Sequence, residues 1–359
     1  MVSYNLFMKQ AVLYERLKDK KARCLACSWY CRIALSQTGV CATRYNQDGR
    51  LYSLVYGKAI GLHLDQVEKK PLFHFYPGET LLSFGTAGCN FGCLFCQNWE
   101  MSNLVKSLKL KVKSLKEGLL GFINRMSVKI TPKEIIEMAV ERKAKGVAYT
   151  YNEPAIFVEF AYDCMALAKK KGLKNVFVSN GFESKESFDY IKDYLDAINI
   201  DLKSIQPEFY QKICQAKIEP VKENIKRYFQ AGIETEVTTL VIPGYNDKEE
   251  EFKSIAKFLG SVSKDIPWHI SAFYPAYKMV EVPPTPLETL IKAYEIGQKA
   301  GLNYVYIGNV YDPKRSSTYC PRCGEVLIER EGYQTRTVSL DKKKSSCQKC
   351  GEKIYGKFN

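Results

Sequence analysis

The sequence predicts an α/β protein built on a parallel β/α barrel, partial or full, with a small cysteine-rich segment on each side. Three observations predict it. Between about residues 80 and 310, short apolar runs alternate with helical stretches. Several helical stretches close on glycine, at Lys145-Gly146, Lys171-Gly172, Ala231-Gly232 and Ala300-Gly301. Eleven of thirteen cysteines fall in three tight groups, the middle one at the exit of the first expected strand.

The expected strands, in order, are Leu81–Gly85, Val147–Tyr151, Asn175–Ser179, Ala197–Leu202, Glu234–Ile242, Trp268–Phe273 and Tyr304–Ile307. Helices are expected between them. Thr131-Pro-Lys-Glu opens one, with Thr131 as N-cap, Pro132 in the first turn and Glu134 completing a capping box. Others are Ala155–Lys171, Ser184–Tyr194, Val221–Ala231 and Lys248–Ser261. Repeated strand–helix units imply parallel strands joined by right-handed crossovers, as a barrel or a doubly wound sheet. In a barrel, chemistry gathers on the loops after the strands. Polar residues do end these strands: Thr150-Tyr-Asn-Glu-Pro, Ser179-Asn-Gly and Asp201-Leu-Lys. The Lys- and Leu-rich stretch Lys106–Lys129 reads as a basic surface helix or insertion.

The chain has 359 residues, 46% of them apolar, enough for a large core. Its net charge of +14 admits nucleic acid or an acidic partner, but the lysines are dispersed and read more simply as a solvated surface. Met1–Leu17 mixes polar residues with apolar ones, which does not suit an export signal. No apolar run approaches the roughly 18 residues of a membrane span. Together these lead to the expectation of a cytoplasmic protein. In that compartment close-set cysteines bind metal rather than pair as disulfides. Cys164 and Cys214 stand alone and read as buried small side chains.

The middle group is Cys89-x3-Cys93-x2-Cys96. Three thiolates at this spacing can ligate three irons of a cubane and leave the fourth iron open to substrate. Gly85, Gly88 and Gly92 let the loop bend around a bulky group. The alternative is a zinc knuckle completed by His63, His74 or His269.

With aromatic Phe95 before its last cysteine, the motif resembles that of the radical S-adenosylmethionine (radical SAM) enzymes. The resemblance implies a [4Fe–4S] cluster on Cys89, Cys93 and Cys96, with S-adenosylmethionine chelating the open iron. It also implies reductive cleavage of the sulfonium, hydrogen abstraction by the 5′-deoxyadenosyl radical, and an electron donor such as ferredoxin or flavodoxin. Tyr151-Asn-Glu-Pro, Ser179-Asn-Gly, Asp201-Leu-Lys and Leu240-Val-Ile-Pro-Gly-Tyr-Asn-Asp follow in the order of the branch that includes pyruvate formate-lyase activating enzyme. That likeness implies cofactor contacts from Asn152, Glu153, Ser179, Asn180, Asp201 and Lys203, with Phe95 near the adenine. Glu68-Lys-Lys-Pro-Leu-Phe-His, Cys96-Gln-Asn-Trp-Glu, Phe273-Tyr-Pro-Ala-Tyr-Lys-Met and Tyr304-Val-Tyr-Ile-Gly-Asn add a narrower resemblance. Together with the first cysteine group, they resemble the AmmeMemoRadiSam system radical SAM enzyme over nearly the whole chain. Two partner proteins of that system are implied with it. The chain departs from that pattern at Cys27-Ser-Trp-Tyr-Cys31, where the family typically has Pro-His.

Cys320-x2-Cys323 and Cys347-x2-Cys350, each followed by glycine, form a zinc-ribbon pattern whose four thiolates close the coordination sphere. A rubredoxin-type iron site uses the same ligands. Cys24, Cys27, Cys31 and Cys41 suffice for a site of their own, with zinc or a second iron–sulfur cluster both chemically reasonable. The expected organisation is an N-terminal cysteine-rich domain (1–79), a radical SAM core (80–312) and a C-terminal zinc ribbon (313–359).

Overall fold

The structure is a computed structural model that describes residues 8–107 and 115–359. The chain forms two compact units. One comprises residues 1–64 and 81–196, the other 65–80 and 197–359.

In the first unit the strand Thr80–Gly85 pairs in parallel with Gly146–Tyr149, which pairs in parallel with Lys174–Ser179. Leu82, Phe84, Val147, Tyr149, Val176 and Phe177 are fully buried. Their near-continuous apolar pattern is that of strands covered on both faces. The helix Pro132–Glu141 leads into the second strand and carries the complete Thr131–Glu134 capping box. The next helix starts later than its sequence pattern. Pro154–Phe157 forms a 3₁₀ turn, and the α-helix runs from Val158 to Lys170. The cause is Glu153, whose carboxylate accepts from Ala155 N at 3.0 Å and caps the turn instead. Ser184 caps the helix Lys185–Ile191 through Ser187 N.

The basic stretch contains a helix, Leu115–Met126, that buries Leu119 and Ile123. These two lie four apart and so share one face, which makes the helix amphipathic. Residues 108–114 of that stretch lie outside the described residues. The N-terminal part of this unit is made of short antiparallel strands, including Tyr14–Arg16, Ala22–Cys24 and Arg32–Ile33.

In the second unit Ala197–Asp201, Glu234–Val241, Trp268–Ala272 and Val305–Gly308 form consecutive parallel pairs. Helices Glu219–Gln230, Glu249–Val262 and Leu287–Lys299 connect them. The last of these starts at Pro286 with no side-chain cap. The C-terminal tail folds into the hairpin Val326–Glu331 and Gln334–Thr337. Phe73, Tyr304, Tyr306, Leu327, Ile328, Ile354 and Phe358 form its buried core. Among the described residues no helix is long and apolar enough to cross a membrane.

Candidate functional site

The cysteine loop leaves the Thr80–Gly85 strand where Gly85 comes close to the end of the neighbouring strand. A Cβ on Gly85 would collide with the carbonyl of Thr150 and stand 2.9 Å from Asn152 Oδ1. Only glycine lets the two strand ends meet there. Asn152 then fastens the loop. Its Nδ2 donates to the carbonyls of Thr86 and Gly88, both at 2.8 Å, and its Oδ1 accepts from Thr86 N at 3.2 Å. Asn180 reaches in from the next strand end. It donates to Asn90 Oδ1 at 2.7 Å and lies 4.0 Å from Cys89 Sγ. Residues from two strand ends thus hold the backbone and side chains around Cys89.

Cys93 and Phe95 are buried, while Cys89 and Cys96 are half-buried. Cys96 Sγ lies 3.2 Å from Ser102 Oγ. Burial pushes the Cys89 thiol up to about 12, opposed by the ammonium of Lys106, which also donates to the carbonyl of Phe91. Among the described residues, the Cys320 group is the one set of three or more metal-binding side chains whose ligand atoms all lie within 4.8 Å of one another. The three loop thiols do not form such a set, and a cubane, in which each thiolate meets its own iron, does not require one.

Glu153 is fully buried beside the loop. It accepts from Ala155 N, from Asn180 N at 2.8 Å and from Ser179 Oγ at 3.1 Å. Ser179 Oγ also lies 2.6 Å from the carboxyl of Glu183, itself buried. Burial, then Glu183, drives the Glu153 carboxyl well above the usual carboxylate range. Two acids meeting around one hydroxyl do not both ionise readily. A bound cation would change that balance. Tyr151, just before this pair, holds a left-handed φ of 69°, and Asn98 Nδ2 donates to its carbonyl at 2.9 Å.

In the second unit Asp201 and Lys203 form an ion pair at 2.8 Å, with Asp201 about one-third exposed. Lys203 N donates to Tyr210 Oη at 3.1 Å, and its carbonyl accepts from Asn246 Nδ2 at 2.7 Å. Asn246 also accepts from Ile242 N at 2.6 Å, so the Pro-Gly-Tyr-Asn turn pins the Asp-Leu-Lys loop. His74 and His269 both serve Glu236. Its carboxylate accepts from His74 N at 2.7 Å and lies 2.6 Å from His269 Nε2. His63 packs edge-on to Tyr151, 6.4 Å between ring centres.

At the C-terminus Cys320, Cys323, Cys347 and Cys350 converge. Cys320 Sγ and Cys350 Sγ are 3.5 Å apart, Cys323 Sγ and Cys347 Sγ 3.8 Å. A tetrahedral zinc with Zn–S near 2.3 Å sets its sulfurs about 3.8 Å apart. The two knuckles repeat one hydrogen-bond pattern: Gly324 N to Cys320 O and Gly351 N to Cys347 O, each at 2.9 Å. Gly324 and Gly351 hold φ of 72° and 76°, which suits glycine there.

Several residues of the site were not singled out by sequence reasoning. Asn90 and Glu183 are ordinary polar residues in the chain, and only the fold brings them to Asn180 and Ser179. Pro154 after Glu153 was the available signal for an extended carboxylate at a strand end.

The parallel α/β architecture, with a three-cysteine loop at the exit of its first strand, defines the class as radical SAM. Residues 84–259, just under half of the chain, match the Radical SAM superfamily, so the chain carries a Radical SAM domain. It is 40% identical over 348 residues to the uncharacterized protein MJ0808 of Methanocaldococcus jannaschii, covering 97% of this chain and 99% of that one. Pyruvate formate-lyase-activating enzyme of Clostridium pasteurianum is 19% identical over 49% of this chain and 67% of its own length. Isethionate sulfite-lyase activating enzyme of Oleidesulfovibrio alaskensis is 25% identical over 36% of this chain and 43% of its own.

Proposed function

We propose that Cys89, Cys93 and Cys96 hold the [4Fe–4S] cluster of a cytoplasmic radical enzyme that cleaves S-adenosylmethionine and abstracts hydrogen from a substrate. The carrying observation is the loop itself: three thiols in C-x3-C-x2-C spacing, on a strand exit tied down by Asn152 and Asn180. A cluster held by Cys89, Cys93 and Cys96 would supply one-electron reduction of the cofactor's sulfonium, with a ferredoxin- or flavodoxin-class protein as the source of the electron.

The chain's own residues bind and orient. Asn152 acts as a positioning residue, since its amide is committed to Thr86 and Gly88. Glu153, held by Ser179 and Asn180 N, offers a carboxylate to the cofactor's ammonium. Gain of that cation favours the ionised acid. Asp201 and Lys203 are assigned to the cofactor's ribose and carboxylate, and Phe95 to the wall beside the adenine. The four C-terminal cysteines hold a structural zinc. The resemblance of motifs over nearly the whole chain, apart from Cys27-Ser-Trp-Tyr-Cys31, supports a place in the AmmeMemoRadiSam system, with its two partner proteins. The activating-enzyme relatives support a macromolecular substrate that receives the radical.

The test is anaerobic reconstitution with iron and sulfide, then dithionite and S-adenosylmethionine. The expected products are 5′-deoxyadenosine and methionine, absent from the Cys89→Ala/Cys93→Ala/Cys96→Ala variant. An intact, reducible cluster that leaves the cofactor uncleaved overturns the reading. For the activator role, a glycyl-radical doublet must appear by EPR on a co-encoded protein.

A further inference from the structure

We propose that Cys24, Cys27, Cys31 and Cys41 hold a second iron–sulfur cluster of the cubane class, seated against the loop that carries Cys89. The four thiols line one cavity, together with Trp29, Arg44, Asn90 and Ile156. They converge on it, yet they are not drawn together as the C-terminal four are. Among the described residues no group other than the C-terminal one brings three ligand atoms within 4.8 Å of one another. One zinc ion needs its sulfurs about 3.8 Å apart. The C-terminal group has that spacing, at 3.5 and 3.8 Å, within the same chain. A cubane places a separate iron under each thiolate, so it accepts a set that one ion cannot span.

Two buried donors on the cavity wall point the same way. Arg44 is 1% exposed. Its Nη1 donates to Glu159 at 2.7 Å and its Nη2 to the carbonyl of Ala155 at 3.4 Å, while its Nε has no partner. Asn90 is also buried. Its Oδ1 is taken by Asn180, and its Nδ2 has no partner. Buried N–H groups are costly to leave unpaired. Inorganic sulfides and thiolate sulfurs are acceptors, and hydrogen bonds to them tune such clusters. The guanidinium of Arg44 also sets positive charge beside Cys24 and Cys41.

The cavity adjoins the Cys89 loop. Trp29 Nε1 donates to Asn90 O at 2.9 Å. A Cβ on Gly88 would stand 2.5 Å from Cys41 O and from Thr43 Cγ2. Asn90 lines the cavity while its Oδ1 lies 3.7 Å from Cys89 Sγ. That the neighbour is itself a cluster rests on the function proposed above; the second site stands on its own geometry.

The experiment is metal and sulfide analysis of the full-length chain after anaerobic reconstitution, with EPR after reduction. Wild type should bind about eight irons and one zinc. The Cys89→Ala/Cys93→Ala/Cys96→Ala variant should keep about four irons, matching sulfide and a reduced-cluster signal that S-adenosylmethionine does not perturb. Cys41→Ser should lower iron at the second site and keep the signal that S-adenosylmethionine perturbs. If the triple variant carries a second zinc and no iron, or no metal beyond the ribbon's, the proposal is wrong. Failure of the radical SAM reading looks different. There the triple variant keeps its four irons, but no signal in wild type responds to S-adenosylmethionine.

Discussion

Gly88 and Asn152 carry the local constraints on the cysteine loop. Gly88 combines a φ of 89° with a position where a Cβ would stand 2.5 Å from the backbone oxygen of Cys41. Left-handed backbone costs an L-residue roughly 1–2 kcal/mol, and the overlap adds to it. Gly88→Ala is expected to displace the loop and lower iron content after reconstitution, which elemental analysis measures. Asn152→Ala leaves the buried carbonyls of Thr86 and Gly88 without their donor. A buried group left unpaired costs about 1–3 kcal/mol. The expected outcome is a lower Tm together with slower 5′-deoxyadenosine formation. A variant that loses rate and keeps wild-type stability would count against Asn152 as a positioning residue. The glycines that bend this loop were legible in the sequence. That the amide of Asn152 is committed to backbone was not, because hydrogen-bond partners 64 and 66 positions away leave no local pattern.

At the level of elements, strand boundaries fall within a residue or two of their apolar runs, since alternation of strand and helix is written in side-chain hydrophobicity. The helix Leu287–Lys299 carries a weaker sequence signature. Its end carries the Ala300-Gly301 signal, but its start has Pro286 in place of a polar cap. The strand Glu234–Val241 supplies a pH prediction. Glu234 is buried, and burial followed by the neighbouring Glu236 drives its carboxyl well above the usual carboxylate range. An acid with a raised folded value binds its proton more tightly when folded. It therefore costs increasing stability as pH rises above the ordinary value, near 4.3 in the unfolded chain. Glu234→Gln removes that cost. Relative to wild type, its stability should rise between pH 5 and pH 8, at up to about 1.4 kcal/mol per pH unit, read by denaturant melts. A flat difference across that range would show that Glu234 ionises freely.

For the whole molecule, the C-terminal cysteines close a core that includes Phe73, Tyr304 and Tyr306 as well as the tail's own Leu327, Ile328 and Ile354. A metal on these cysteines, as proposed, would add folding energy to a tail that builds only part of its own core. Cys320→Ser should lose one zinc equivalent and open the Val326–Thr337 hairpin to limited proteolysis, while iron content and cluster absorbance stay at the wild-type level. Loss of the cluster absorbance would mean that these cysteines had been given the wrong metal. The net charge of +14 has no single counterpart at the site, and many lysines form surface ion pairs such as Lys185–Asp189 and Lys253–Glu249. Exposed pairs of this kind contribute little stability.

The sequence by itself determined the chemical class. The C-x3-C-x2-C spacing, the strand it follows and the paired C-x2-C knuckles are local features, and local spacing decides which thiolates share one turn of backbone. Tertiary structure alone decided that the four C-terminal thiols converge within reach of a single ion. It also decided that Asn90 and Arg44 face the N-terminal cysteines, and that Glu183 meets Glu153 across Ser179. Those distances follow from packing between segments remote in sequence, where close-packed interiors fix side-chain positions that no periodicity records.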